Sequence, residues 1–270
     1  MENDKAKKIV VIGGTGLIGS LVVSKLNERG YNAIPASPDS GVNTLTGEGL
    51  AEVLQGASVV VDVSNSPSFA DEDVMKFFQT STSNLLKYEA EAGVGHHVAL
   101  SVVGSERLPD SGYLRAKVAQ EKLIKESGIP YSIVRATQFF EFAKRIADAA
   151  TEGNTVRLPA VQFQPLAADD VAKVVGRTAG GDPLNGTVEV AGPEQFRFDQ
   201  FIALGLNARN DERVVVTDHN ARYFGTELSE GSLVPGAGAL LGETRFADWL
   251  KGSISSVPPN PRPVAIAAGQ

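Results

Sequence analysis

Short runs of consecutive apolar residues alternate along this chain with longer segments in which apolar positions recur every three or four residues. Lys8 to Ile12 is an unbroken, largely β-branched run and predicts a buried strand. Asn32–Ala36, Ser58–Val63, His97–Val102 and Tyr131–Arg135 predict four more. Between the first two, Leu17, Ile18, Leu21, Val22 and Leu26 fall on one face of a helix from Leu17 to Arg29, with Gly30 placed to end it. Further helices are expected at Glu48–Leu54 with Thr46 as its cap, at Ala70–Ala92 closed by Gly93, at Ser111–Ser127 closed by Gly128, and from about Phe139 to Ala150.

Strand and helix in regular alternation predict an α/β fold, a doubly wound parallel sheet of the Rossmann-like kind, with residues 1–150 as its dinucleotide-binding core. After residue 151 the rhythm loosens. A helix over Asp169–Thr178, a strand in "GTVEVAG", a helix in "RFDQFIALGLNARN", a strand in "ERVVVTD" and a short helix in "TRFADWLKG" remain. Residues 151–255 are therefore expected to form a smaller substrate-binding portion packed over the sheet's C-terminal edge. The proline-rich residues 256–270 read as a flexible tail outside the core.

The first strand-to-helix junction, "IGGTGLIG" (12–19), is where chemistry enters. Gly13 and Gly14 can take backbone angles closed to other residues. Gly16 has no side chain to hold off a pyrophosphate, and Gly19 lets the helix lie close on the strand. The N–H groups of the turn and the helix dipole then face an anion. The spacing satisfies G-x-G-x-x-G at Gly14, Gly16 and Gly19, and G-x-x-G-x-x-G at Gly13, Gly16 and Gly19. With a strand before and a helix after, it predicts dinucleotide binding.

A second constellation lies in "LSVVGSERLPDSGYLRAK". Ser101 ends the fourth strand, and Tyr113 and Lys117 follow as Y-x-x-x-K, four apart and on one helix face. An ammonium beside a phenol favours the phenolate, so the pKa of Tyr113 is expected to fall from about 10 toward neutrality. Tyr113 then serves as general acid or base. Lys117 can also donate to ribose hydroxyls, and Ser101 can hold the substrate oxygen.

Composition narrows the function classes. The chain has 270 residues and no cysteine, so disulfides, thiolate metal sites and a thiol nucleophile are excluded, and a cytoplasmic location is the expectation. A net charge of −7 argues against nucleic acid as a partner. No apolar stretch approaches the roughly 18 residues that span a bilayer, so no membrane association is expected. The polar "MENDKAKK" start is too short for a signal peptide. The adjacent His96 and His97 would point to opposite sides of a strand, which makes a poor metal pair, and no metal site is expected. Phe139, Phe140 and Phe142 are candidates for a substrate pocket, Phe139 first among them. Tyr223 and Phe224 are candidates for a lid, Trp249 for the core, and His219 for a structural position.

With both motifs in view, the chain resembles the short-chain dehydrogenase/reductases, and more narrowly their atypical, NmrA-like, NAD(P)-binding branch. "GGTGLIG" (13–19), "VDVSN" (61–65), "ALSVVG" (99–104), "YLRAK" (113–117), "YSIVRATQFFEF" (131–142) and "PLAADDVA" (165–172) carry the resemblance, which spans roughly residues 8 to 250. It implies a nicotinamide cofactor with Gly13, Thr15, Gly16, Leu17 and Ile18 around its pyrophosphate. Ser64 and Asn65 would flank the adenosine and ribose, and Ala136, Thr137 and Phe139 would approach the nicotinamide. Ser101, Tyr113 and Lys117 match the family's catalytic trio. The implied activity is an NAD(P)-dependent oxidoreductase acting on a small-molecule substrate, with a homodimer allowed by the family likeness. The alternative is a redox sensor that binds NADP without turnover. Two positions depart from the family pattern. Ser37 stands where NAD-preferring members place an acidic residue, which leaves room for a 2′-phosphate and favours NADP over NAD. The relay asparagine has no match, and Phe78 stands near its place.

Overall fold

A computed structural model describes residues 6–255, so the expected tail at 256–270 lies outside the described residues. The first half supplies β1 (Lys8–Ile12), β2 (Asn32–Ala36), β3 (Val59–Asp62), β4 (His96–Val102) and β5 (Tyr131–Ala136). The second supplies β6 (Thr151–Glu152), β7 (Thr155–Leu158), β8 (Gln162–Phe163), β9 (Gly186–Ala191), β10 (Phe196–Arg197), β11 (Val214–Thr217) and β12 (Leu240–Leu241). Seven of them form one parallel sheet in the order β12-β9-β5-β4-β3-β1-β2. The sheet therefore draws on chain from both sides of residue 150. β6, β7 and β11 form a small separate sheet, and β8 pairs with β10.

The helices are α1 (Leu17–Glu28), α2 (Leu50–Leu54), α3 (Asp71–Ala92), α4 (Gly112–Glu126), α5 (Ala143–Ala149), α6 (Ala168–Gly180), α7 (Phe198–Asn207) and α8 (Phe246–Ser255). The 22-residue α3 begins and ends where the sequence puts a physical reason. α3 opens on Asp71, Glu72 and Asp73 against the positive end of its dipole, and it stops at Gly93 in the left-handed conformation, φ 69°. α1 and α6 cover one face of the sheet, burying Val22, Leu26, Val171 and Val175 on Ile9 and Val11. α2 and α3 bury Leu50, Leu54 and Leu85 on Val10 and Val60 of the other face, and Ile124 of α4 packs there on Ala99 and Ile133. The strand alternation that separates Val10 from Val11 thus assigns them to opposite layers, both without exposure. A third cluster gathers Phe140, Phe163, Phe198, Phe201 and Phe246 under the C-terminal elements.

Two local expectations are corrected. The short helix starts at Leu50, and its cap is Gly49 at φ 72°, not Thr46; the Thr46 hydroxyl instead accepts the Glu48 N–H at 3.3 Å. The segment expected as one helix over 139–150 is a 3₁₀ turn, Phe140–Phe142, followed by α5. Glu141 of that turn accepts hydrogen bonds from the Ala168 N–H and the Trp249 indole, which ties the turn to α6 and α8. β1 has β2 on one side and β3 on the other, so the chain reverses its winding there. A crevice opens outside the carboxyl ends of the strands at such a reversal.

Candidate functional site

A cleft of ≈ 660 Å³ lies at those carboxyl ends, and Ile12, Ala36, Val63, Val102 and Ala136 mark the strand ends that line it. Its floor begins with the glycine turn. Gly13, at φ 76°, donates its N–H to the Ala36 carbonyl at 2.8 Å, which bends the chain off β1. A Cβ on Gly13 would meet the Ser64 backbone at 2.9 Å, one on Gly14 would meet Pro35 at 2.6 Å, and one on Gly19 would collide with the Gly13 carbonyl oxygen. These contacts explain why glycine recurs here. Among the described residues, the N–H groups of Thr15, Leu17 and Ile18 have no hydrogen-bond partner in the protein. They stand at the start of α1, whose cap, Gly16, offers no side-chain acceptor. Bare donors at a helix start, with no side chain in front of them, suit a diphosphate.

Every residue predicted for the site lines this cleft: Gly13, Thr15, Gly16, Leu17 and Ile18 from the turn, Ser37, Ser64, Asn65, Ser101, Tyr113, Lys117, Ala136, Thr137 and Phe139. Ser37 is buried just past the end of β2, and its hydroxyl donates to no acceptor among the described residues. An orphaned hydroxyl facing a cleft is a ready donor to a ribose oxygen or a 2′-phosphate. Asp62, at the end of β3, accepts the Ser64 N–H and hydroxyl at 3.0 and 2.6 Å. Thr137 is fixed by donating its hydroxyl to the Gln164 carbonyl at 2.6 Å.

The trio is brought to one cleft, but it is wired differently from the expectation. Ser101 donates its hydroxyl to Glu121 Oε1 at 2.7 Å, so it holds a neighbour on α4 instead of facing Tyr113. Lys117 is buried. Its ammonium donates to the Leu100 carbonyl at 2.9 Å and to Gln120 Oε1, and it lies 4.4 Å from the centre of the Phe78 ring. Gln120 passes the contact on by donating to Asp62 Oδ2 at 2.9 Å. Phe78, standing near the missing relay asparagine, thus supplies an aromatic face to the lysine rather than an amide to a water. Burial lowers the Lys117 pKa to about 8, against the opposing charges of Asp62 and Glu121.

The expected fall in the Tyr113 pKa is corrected. Burial pushes the phenol up to about 12, and the cation that acts against this rise is Arg145, not Lys117. The reason is the hydrogen bonding just described: Lys117 turns into the sheet toward Leu100, while Tyr113 faces the aromatic rings of Phe69, at 5.5 Å, and Phe78, at 6.1 Å.

Phe139 and Phe142 line the cleft with their rings 5.1 Å apart, whereas Phe140 is buried in the C-terminal cluster against Phe246 and Trp249. Tyr223 and Phe224 also border the cleft, and Phe224 stacks on Phe69 at 6.4 Å. His96 hydrogen-bonds Ser132 and His97 hydrogen-bonds Glu89, both inside the fold, and His219 is exposed. Among the described residues no cluster of acidic and histidine side chains could hold a metal. Nor, among the same residues, is any helix long and apolar enough to cross a membrane. Sequence reading missed Phe69, Gln120 and Arg145. None sits in a recognisable motif, and each reaches the site through the packing of a loop or helix.

A parallel sheet wound in this way, with a bare glycine turn at its switch point, defines a dinucleotide-binding protein. Residues 13–179 match the family described as NAD(P)H-binding, and the chain belongs to that family. It is 29% identical over 232 residues to the divinyl chlorophyllide a 8-vinyl-reductase of Cucumis sativus, covering 71% of this chain and 54% of that protein. It is 26% identical over 147 residues to the photosystem II assembly factor Ycf39 of Cyanophora paradoxa, covering 49% of this chain and 46% of that one. The chain thus spans about half the length of these curated relatives. The crystal structure of a dTDP-4-dehydrorhamnose reductase from Bacillus anthracis, in complex with NADP, superposes with a TM-score of 0.68 at 15% identity, covering 94% of this chain and all of that one.

Proposed function

We propose that this protein is an NAD(P)-dependent reductase that acts on a small carbonyl compound or an activated double bond, with Tyr113 as the proton donor. The observation that carries the reading is the Tyr113 phenol, held protonated by burial in the same cleft as the glycine turn. A phenol that keeps its proton at neutral pH serves as an acid, which suits reduction better than alcohol oxidation. When bound, the dinucleotide supplies the hydride. The protein's part is to seat the diphosphate on the N–H groups of Thr15, Leu17 and Ile18 and to place substrate near Ala136–Phe139. Tyr113 then gives its proton to the oxygen or carbon left electron-rich, so two electrons and two hydrogens are added in all. Lys117, with two of its three N–H donors held by Leu100 and Gln120, has the third to offer the ribose. Ser37 favours NADP, because its free hydroxyl can meet a 2′-phosphate that a carboxylate would repel. The vinyl reductase among the relatives supports the double-bond branch of this reading.

A second reading is a redox sensor that binds NADP without turnover. The hydrogen bonds that already engage Ser101 and Lys117 favour it, as does the assembly-factor relative. One experiment separates the two. NADPH consumption is followed with a panel of aldehydes, quinones and enones, for wild type and Tyr113→Phe. Turnover that the substitution abolishes supports the reductase. Tight NADPH binding with no turnover on any compound supports the sensor.

A further inference from the structure

The cleft's electrostatics are at odds with the chain as a whole. The protein carries a net charge of −7, yet among the described residues lining the cleft there is no Asp or Glu, and the charged ones are Lys117 and Arg145. Lys117 is occupied by Leu100 and Gln120. Arg145 is not occupied. Among the described residues its guanidinium has no hydrogen bond or ion pair, although Lys144, one position earlier, is paired with Asp148 at 2.8 Å. What Arg145 does have is a platform. Its guanidinium carbon lies 4.5 Å from the centre of the Phe69 ring, and it is close enough to Tyr113 for its charge to act on the phenol. Stacking fixes the plane of a guanidinium and leaves its N–H fork free for a planar, bidentate acceptor.

We infer that the substrate end of the cleft receives an organic anion: a planar, conjugated molecule whose carboxylate pairs with Arg145 while its ring lies among Phe69, Phe142 and Phe224. This rests on the reductase reading and names its substrate class. The aromatic side chains come from separate stretches. Phe69 precedes α3, Phe142 precedes α5, and Phe224 belongs to the loop after β11, yet Phe69 and Phe224 stack with an interplanar angle of 24°. Conjugated rings bind such walls through offset stacking. The cofactor's own phosphates do not account for the arginine. The glycine turn follows β1 and α5 follows β5, three inter-strand steps apart in the sheet, roughly 14 Å. A 2′-phosphate at Ser37 would sit beyond β1, one step further away.

The test is calorimetric and reads no turnover. Wild-type protein, Arg145→Met and Arg145→Lys are each titrated first with NADP⁺, then, saturated with it, with 2-naphthoate and with the isosteric 2-naphthamide. Arg145 is exposed, so the substitutions leave the fold in place. Wild type is expected to bind the acid about tenfold or more tightly than the amide, the scale of one charge-assisted contact. Arg145→Met should bind both alike, Arg145→Lys should keep part of the preference, and NADP⁺ affinity should stay within about twofold throughout. Equal binding of acid and amide by wild type, binding of neither, or a preference that survives in Arg145→Met overturns the inference. So does an NADP⁺ affinity that collapses in Arg145→Met, which would assign the arginine to the cofactor. A protein that selects the acid here but consumes no NADPH with any compound of the panel above refutes the reductase and leaves the anion site standing. If NADP⁺ itself fails to bind, the same acid–amide comparison on the free protein still decides.

Discussion

The Lys117 ammonium lies 4.4 Å from the centre of the Phe78 ring and donates to the Leu100 carbonyl, while Tyr113, four residues earlier on the same helix, makes no hydrogen bond with it among the described residues. Two side chains that the sequence places as a pair therefore work apart, the lysine inside the sheet and the tyrosine under the aromatic rim. Their titration follows from that separation. Lys117 is depressed to about 8 and Tyr113 is raised to about 12, both chiefly by burial.

For Tyr113→Phe, kcat/KM for any compound that wild type reduces is expected to drop by about 100-fold or more, the usual scale of a positioned proton donor. The dissociation constant for NADPH should change by less than about twofold, because the phenol is not asked to hold the dinucleotide. Steady-state rates and fluorescence titration check the two halves. Retention of wild-type rates would remove Tyr113 from the chemistry.

Lys117 predicts a pH dependence of cofactor binding. Its folded-state pKa lies near 8, below its ordinary value of 10.5, so the ammonium is present at pH 7 and is lost as pH rises through about 8. If the charge supports the ribose, NADP⁺ affinity falls between pH 7 and pH 9, whereas Lys117→Met binds more weakly at pH 7 and shows no such slope. The stability effect has the opposite sign. Between about 8 and 10.5 the unfolded chain holds more protons at this position, so the Lys117 contribution to stability rises with pH in that window. Parallel binding curves across the range measure the first, and thermal melts of wild type and variant the second.

Glu121 is the keystone of a buried polar group behind the cleft. It accepts from Ser101 at 2.7 Å, from Arg135 at 2.8 and 2.7 Å, and from Lys125 at 3.2 Å. Burial pushes its carboxyl up, but the bonds from Arg135, Ser101 and Lys125 together hold it below the usual value of 4.5. A carboxylate with a lowered folded pKa contributes stability that is present above about 4.5 and is lost as pH falls through the folded value. Glu121→Ala should cost about 1–3 kcal/mol at pH 7, because it removes two of the three carboxylate contacts of Arg135 and leaves it Glu106 alone, at 2.6 Å, and it should flatten the acid limb of the stability curve. Urea melts from pH 3 to pH 7 test both, and an unchanged midpoint at pH 7 would contradict them.

At the rim, Phe224 holds φ 45° and Gly225 follows at φ 84°. A bulky residue in the left-handed region costs on the order of 1 kcal/mol or more and persists where the side chain has a use. Phe224→Gly relieves that backbone and removes the ring that stacks on Phe69. The expected result is unchanged or slightly raised thermal stability together with a KM increase of about tenfold for conjugated substrates, with NADPH affinity unaltered.

Substituting Gly19 by alanine tests the cradle itself. The new methyl would collide with the Gly13 carbonyl oxygen and crowd Gly14, both backbone, so the turn must move. NADP⁺ affinity should drop by about tenfold or more, with a loss of about 1–3 kcal/mol in stability. Calorimetry and thermal melts measure them, and normal NADP⁺ affinity in this variant would show that the turn does not cradle the cofactor.

Much of this was legible because it is local. β1 and β2 fall where apolar runs and glycines put them, since a short buried run and a helical period are written in neighbouring residues. The glycine turn was readable for the same reason. Arg145 was not, because its meaning depends on Phe69, 76 positions away, coming under its guanidinium. Likewise, Y-x-x-x-K fixes Tyr113 and Lys117 on one helical face, but the partners that decide their protonation come from other elements. Leu100 belongs to β4 and Asp62 to β3. The left-handed backbone of Phe224 and the split of the 139–150 segment arise from the C-terminal elements, whose weaker periodicity hides them.

The last two strands of the main sheet, β9 and β12, join it late, with β9 at 186–191 seated directly on β5 at 131–136. A ribosome making this chain has therefore finished the glycine turn and most of the cleft long before the neighbour of β5 emerges. During that interval the open edge of β5 is a row of unpaired backbone groups on an apolar strand, a surface that invites pairing with another nascent chain. Polypeptides cut short between residues 150 and 185 should accordingly accumulate as aggregates, even though they contain every glycine of the nucleotide cradle.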